Sequence, residues 1–187
     1  LRQSAPDVDH NGTVDDKELT EYKDSLHFMT EDDVFAAVDT RRLHVSPEHQ
    51  NAASLYLNEK IPFAYNYCDS SLFVQNGNAG IHGSHVSGIA AANAYIPTDG
   101  GAEKTFVKAE DAGAISGTAP DAQILNLKVF GNALCTDAVV ATAVEDALVL
   151  GADVLNLSLG RSEVGFSCSD SIFGDVFEEL TSQGVLI

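Results

Sequence analysis

The sequence predicts an α/β protein, a parallel sheet with helices on both faces, preceded by a short helical segment carrying a calcium loop. Two observations set the class. From Val34 onward short apolar runs alternate with helical stretches of ten to fifteen residues, the pattern of βαβ units. Ahead of them stands an acid-rich segment: eleven of the 28 Asp and Glu residues fall within the first 39 positions. The suggested boundaries are 1–30 for the calcium segment and 31–187 for the α/β part.

The first element is the loop "DVDHNGTVDDKE", residues 7–18. Asp7, Asp9, Asn11, Thr13 (through its carbonyl), Asp15 and Glu18 occupy positions 1, 3, 5, 7, 9 and 12, with Gly12 sixth. Calcium takes several hard oxygens at once, and glycine permits the turn that lets them converge. Val14 holds the position that packs inward between paired loops. Leu19, Tyr22 and Leu26 then recur at helical spacing. The segment resembles an EF-hand half or one dockerin repeat. Dockerins more often carry Asp at position twelve, so Glu18 tilts the resemblance toward the EF-hand. The implied cofactor is Ca2+.

Next, "VFAAVD" (34–39) reads as a buried strand ending on Asp39, and "IPFAYNY" (61–67) as an extended aromatic run. A helix of Ala, Gly and Val runs from His82 to about Asn93. Residues 95–114 are polar and poorly periodic, hence a surface loop. "ILNLKVF" (124–130) is a second buried strand. A helix follows between Thr136 as N-cap and Gly151, then a strand "DVLNLSLG" (153–160), a helix near 170–182, and a strand beginning at "GVLI".

Bulk properties narrow the function. A formal charge of −18 opposes nucleic-acid binding, which needs Lys and Arg to displace counterions. No apolar run reaches the roughly 20 residues of a membrane span. Cys68, Cys135 and Cys168 are odd in number and form no CxxC pattern, so no complete disulfide framework is implied. Leu1 and the final "GVLI" both read as cut ends, which predicts a fragment of a longer protein.

Functional residues of open parallel sheets collect at the carboxyl ends of strands. Asp39 and the loop Ser158-Leu159-Gly160 take such places, and His82 opens a helix. For His82 and His85 the residues alone leave three readings open: a metal pair, a structural histidine or a catalytic base. The metal reading lacks a nearby Glu on the helix.

"HGSHVSGIAAAN" resembles the histidine motif of subtilisin-like serine proteases, the subtilases. "AAVDT", "GTAPDAQILNLKVF" and "GADVLNLSLG" resemble three further family stretches in the same order. "KIPFAYNY" and "EDALVLGADVLNLSLG" resemble the lactocepin-like cell-envelope branch. The resemblance implies a partial subtilisin-like fold with Asp39 as triad acid, His82 as base and His85 as its bystander. It implies that Ser158, Leu159 and Gly160 pair with an extended protein or peptide substrate, and that the protein is extracellular or in the cell envelope. Two departures stand out: Arg41 takes the place of the family's Gly, and Ser46-Pro47 stands where His-Pro is usual.

The family's Gly-Thr-Ser nucleophile motif does not occur among these residues. The expectation is a secreted, calcium-dependent serine endopeptidase whose serine lies outside this stretch, leaving the stretch itself inactive. The alternative is a calcium-dependent binding module, with a protein partner of its own, joined to a non-catalytic subtilase-like domain.

Overall fold

The computed structural model describes residues 7–26, 28–40, 42–77, 80–98, 105–132, 136–160 and 173–187. Contacts divide the chain into two units, residues 29–82 with 125–187 and residues 1–28 with 83–124.

The first of these units carries the parallel pairing. Strand β2 (Phe63–Asn66) lies beside β5 (Leu125–Lys128) in the register Phe63↔Leu125 through Asn66↔Lys128. All four residues of β2 are buried, which explains a continuous run of apolar and aromatic residues rather than an alternating one. Phe63 and Tyr65 join Val34, Leu43, Val45, Leu55, Ala143 and Leu150 in one core. Val140 and Val144 of helix α5 (Asp137–Val149) meet Leu180 of α6 (Phe173–Ser182) and Val185 in a second. Thr136 caps α5 as expected, accepting from the Val139 N–H. Beyond Leu150, Gly151 takes φ +74° and the Ala152 N–H returns to the Ala147 carbonyl, a glycine-terminated helix end.

The α/β class and its parallel pairing agree with the sequence, but three elements differ. Residues 34–39 are not a strand: they lie in helix α2 (Glu31–Asp39). The Thr30 side chain accepts from the Asp33 N–H while the Asp33 carboxylate accepts from the Thr30 N–H. This capping box, with Glu31, Asp32 and Asp33 in the first turn, favours a helix N-terminus. A short apolar run cannot by itself separate strand from helix. The second difference is at 153–160, where one parallel bridge, Val154↔Leu186, stands in place of a longer ladder. Leu155 donates to the Leu186 carbonyl and Leu186 to that of Asp153.

The third lies in the other unit. Within the stretch expected to be loop, β3 (Tyr95–Pro97) pairs antiparallel with β4 (Thr105–Lys108). Tyr, Ile, Thr, Phe and Val are strand-favouring residues that polar neighbours masked. The same β4 pairs on its other edge with β1 (Val14–Asp15), giving the order β1-β4-β3. Helix α1 (Asp16–Asp24) follows β1, and its Tyr22 hydroxyl donates to Asp121 at 2.8 Å. Residues 117–119 donate to the carbonyls of Ala92, Ile89 and Ala90, at the end of helix α4 (His82–Ala91). Gly117 permits that approach, since a Cβ there would lie 2.4 Å from the Ala92 nitrogen.

Candidate active site

His82 is the first residue of α4, and its ring is exposed. Its Nε2 lies 2.9 Å from the Ser158 carbonyl oxygen, 76 positions further along the chain. A carbonyl can only accept, so in this arrangement Nε2 carries the proton. To take a proton from another group the ring must release this contact and become the other tautomer. The structure thus brings together two of the features singled out from sequence, the histidine and the Ser158-Leu159-Gly160 segment.

That segment is exposed and lies outside any strand among the described residues. Its one anchored side chain is that of Ser158, whose hydroxyl accepts from the Asn156 amide at 2.9 Å. An exposed backbone segment outside any strand among the described residues is chemically suited to adding one.

Asp39 is placed differently. It is the last residue of α2, exposed, and its carboxylate makes no hydrogen bond or ion pair among the described residues. The structure does not join it to His82 by a hydrogen bond. A carboxylate at a helix C-terminus also faces the negative end of the helix dipole. Arg41 lies outside the described residues. Ser46 opens a 3₁₀ turn (Pro47–His49), its hydroxyl accepting from Tyr65 at 3.0 Å. His85 is exposed one turn beyond His82, and the pair belongs to no three-ligand cluster among the described residues.

The acidic loop does converge. Carboxylate oxygens of Asp7, Asp9 and Glu18 lie within 4.8 Å of one another. Asp7 accepts from the Asn11 and Gly12 N–H groups, at 3.1 and 2.8 Å. Glu18 is buried and accepts from the N–H groups of Val8 and Asp15. Gly12 has φ +88°, the left-handed turn its position required. Desolvation pushes the Asp7 carboxyl up, but the Gly12 N–H and its other partners outweigh this and hold it below the ordinary carboxylate value. Asp15 does not join the cluster of three: its carboxylate caps α1 by accepting from the Glu18 N–H at 2.7 Å. Asn11 turns its oxygen to the Thr13 N–H and hydroxyl. Val14 is buried as its loop position implied, yet its partner is Phe106 of β4 and not a second calcium loop.

Sequence reasoning missed a polar cluster on α5. Asp146, fully buried, accepts from the Tyr67 hydroxyl at 2.7 Å and from both the backbone N–H and ring Nδ1 of His44. Burial first, then the Asp146 charge and hydrogen bond, push the Tyr67 hydroxyl far above the ordinary phenol value. The signal was present: Asp146 sits on a helix among residues that otherwise bury, namely Ala143, Val144 and Ala147. A carboxylate in such a place must be partnered.

Residues 43–186 match the pattern of the family described as the subtilase family; the match begins beyond Asp39. The chain is 36% identical to a PII-type proteinase of Lactococcus lactis subsp. cremoris over 110 residues, covering 56% of this chain and 5% of that protein. It is 29% identical to a C5a peptidase of Streptococcus pyogenes over 145 residues, covering 75% of this chain and 11% of that protein. It is 41% identical to the minor extracellular protease Vpr of Bacillus subtilis over 88 residues, covering 46% of this chain and 8% of that protein. The aligned stretch therefore spans about a twentieth to a ninth of each relative's length.

Proposed function

Because the chain belongs to the subtilase family, we propose that it supplies part of the catalytic apparatus of an extracellular or cell-envelope serine endopeptidase. His82 is the general base that takes the proton from a serine hydroxyl and later hands it to the leaving amine. Ser158, Leu159 and Gly160 hold an extended peptide substrate by main-chain hydrogen bonds. The observation that carries this reading is the 2.9 Å contact between His82 Nε2 and the Ser158 carbonyl. It sets an exposed imidazole directly against the backbone of Ser158, so a peptide held along that segment would present its carbonyl carbon near the base.

Asp39 is the acid the resemblance assigns. Its role is to hold the ring with Nδ1 protonated and to stabilise the imidazolium. Its exposed place at the end of α2 supports that role less than the geometry of His82 supports the base. Asp7, Asp9 and Glu18, with Asn11, Asp15 and the Thr13 carbonyl, would hold calcium. Three convergent carboxylates and a left-handed glycine support the fit. When bound, the ion would neutralise the crowded acids and order the loop that leads into β1. A partner protein of this loop segment would meet its exposed face.

The second reading, a calcium-dependent binding module joined to a non-catalytic subtilase-like domain, draws on one observation: Asp39 has no hydrogen bond to His82. The two readings share the peptide-binding edge and differ at the base. Addition of an extended peptide should shift the backbone amide resonances of Ser158, Leu159 and Gly160 together with the His82 ring. Shifts confined to other surfaces would contradict the substrate edge. No Gly-Thr-Ser occurs in the 187 residues, so these residues alone should not hydrolyse the peptide; measurable turnover would overturn the assignment of roles.

A further inference from the structure

We propose that His44 and Glu145 form a surface site for a dication of the zinc class, with the buried Asp146 as the carboxylate that orients the histidine. This site shares no residue with the His82 site or with the acidic loop.

The chemistry begins with Asp146. Its carboxylate, fully buried, can only accept, so the His44 Nδ1 at 2.8 Å is the protonated nitrogen. In the neutral ring the lone pair is then on Nε2. The backbone N–H of His44 also donates to both Asp146 oxygens, at 2.9 and 3.0 Å, and fixes the residue at its base. Tyr67, donating to the other carboxylate oxygen, fixes the carboxylate in turn. A histidine donating one ring N–H to a carboxylate while the other nitrogen faces outward is the arrangement that orients metal-binding imidazoles and raises their basicity.

Nε2 points to the Glu145 carboxylate, 3.6 Å away, with both side chains half exposed. That separation is too long for a hydrogen bond. It is close to what a shared ion requires, because two ligands about 2.1 Å from a tetrahedral dication stand about 3.4 Å apart. A nitrogen ligand selects the zinc class over calcium, which takes oxygen. Water would fill the remaining positions.

The test titrates zinc into calcium-saturated protein, so that the acidic loop is filled, and follows the histidine rings by NMR. The His44 ring should respond first, with Nδ1 remaining protonated. Glu145→Gln, a change on an exposed side chain, should weaken zinc at least about tenfold, and His44→Gln likewise. The proposal is overturned if zinc fails to bind at millimolar concentration. It is equally overturned if zinc perturbs the His82 and His85 rings in place of His44, or if folded Glu145→Gln binds zinc as tightly as the parent.

Discussion

Asp39 and Asp146 are two helix-borne aspartates of the same unit, and they could hardly be more differently placed. Asp39 ends α2, exposed and without a hydrogen bond among the described residues; Asp146 sits in the middle of α5, fully buried, accepting from the backbone N–H and ring Nδ1 of His44 and from Tyr67. The first drew notice because of the residues next to it in sequence. The second matters because of residues 102 and 79 positions away. A motif reports what its neighbours along the chain resemble, whereas the cost of moving a charge out of water depends on neighbours in space.

The contrast predicts a wide gap in stability. Asp146→Ala leaves the Tyr67 hydroxyl and the His44 N–H groups without their acceptor, and should cost about 3–5 kcal/mol in chemical denaturation. A loss below about 1 kcal/mol would mean that the network is not held in solution. Tyr67→Phe removes one donor from the same carboxylate and should cost less, about 1–2 kcal/mol. Thr30→Ala removes the cap that makes 31–39 a helix, and about 1 kcal/mol of stability should go with it, read as lost helical circular dichroism. At the small end, Asp39→Asn should change stability by less than about 0.5 kcal/mol, as surface substitutions do. A large loss there would show that the carboxylate has a partner after all.

Two pH effects complete the set. The native fold lowers the Asp7 carboxyl, so its contribution is whole above the ordinary value of 3.8 and is lost as pH falls through the lower native one. Burial, followed by the Asp121 hydrogen bond, raises the Tyr22 hydroxyl from 10 to about 12. Its neutral form is favoured by the fold, so its contribution is whole below pH 10 and is lost as pH rises through about 12. Tyrosinate absorbance should lose amplitude near pH 12 in Tyr22→Phe relative to the parent.

The fold was legible where local chemistry is self-sufficient. Thr136 and Gly151 bracket α5 within its own residues, and β2 carries an unbroken buried run. The acidic loop was legible for the same reason: Asp7, Asp9 and Glu18 converge through a single turn at Gly12. What failed depended on distant partners or on competing local signals. "VFAAV" satisfies a strand and a helix equally until Thr30 and Asp33 close their box. β1 finds β4 across some 90 residues, and nothing in "TFVK" names Val14 as its partner. His82 was singled out from its motif, but its meeting with Ser158 belongs to the folded chain alone.

The central claim is that His82, set against the Ser158 edge, is the base of a serine peptidase. It is tested most directly by His82→Ala in the protein that includes the serine motif, measured as peptide hydrolysis. Turnover should fall on the order of a million-fold with the fold intact. Turnover that survives the substitution within about tenfold would contradict the account.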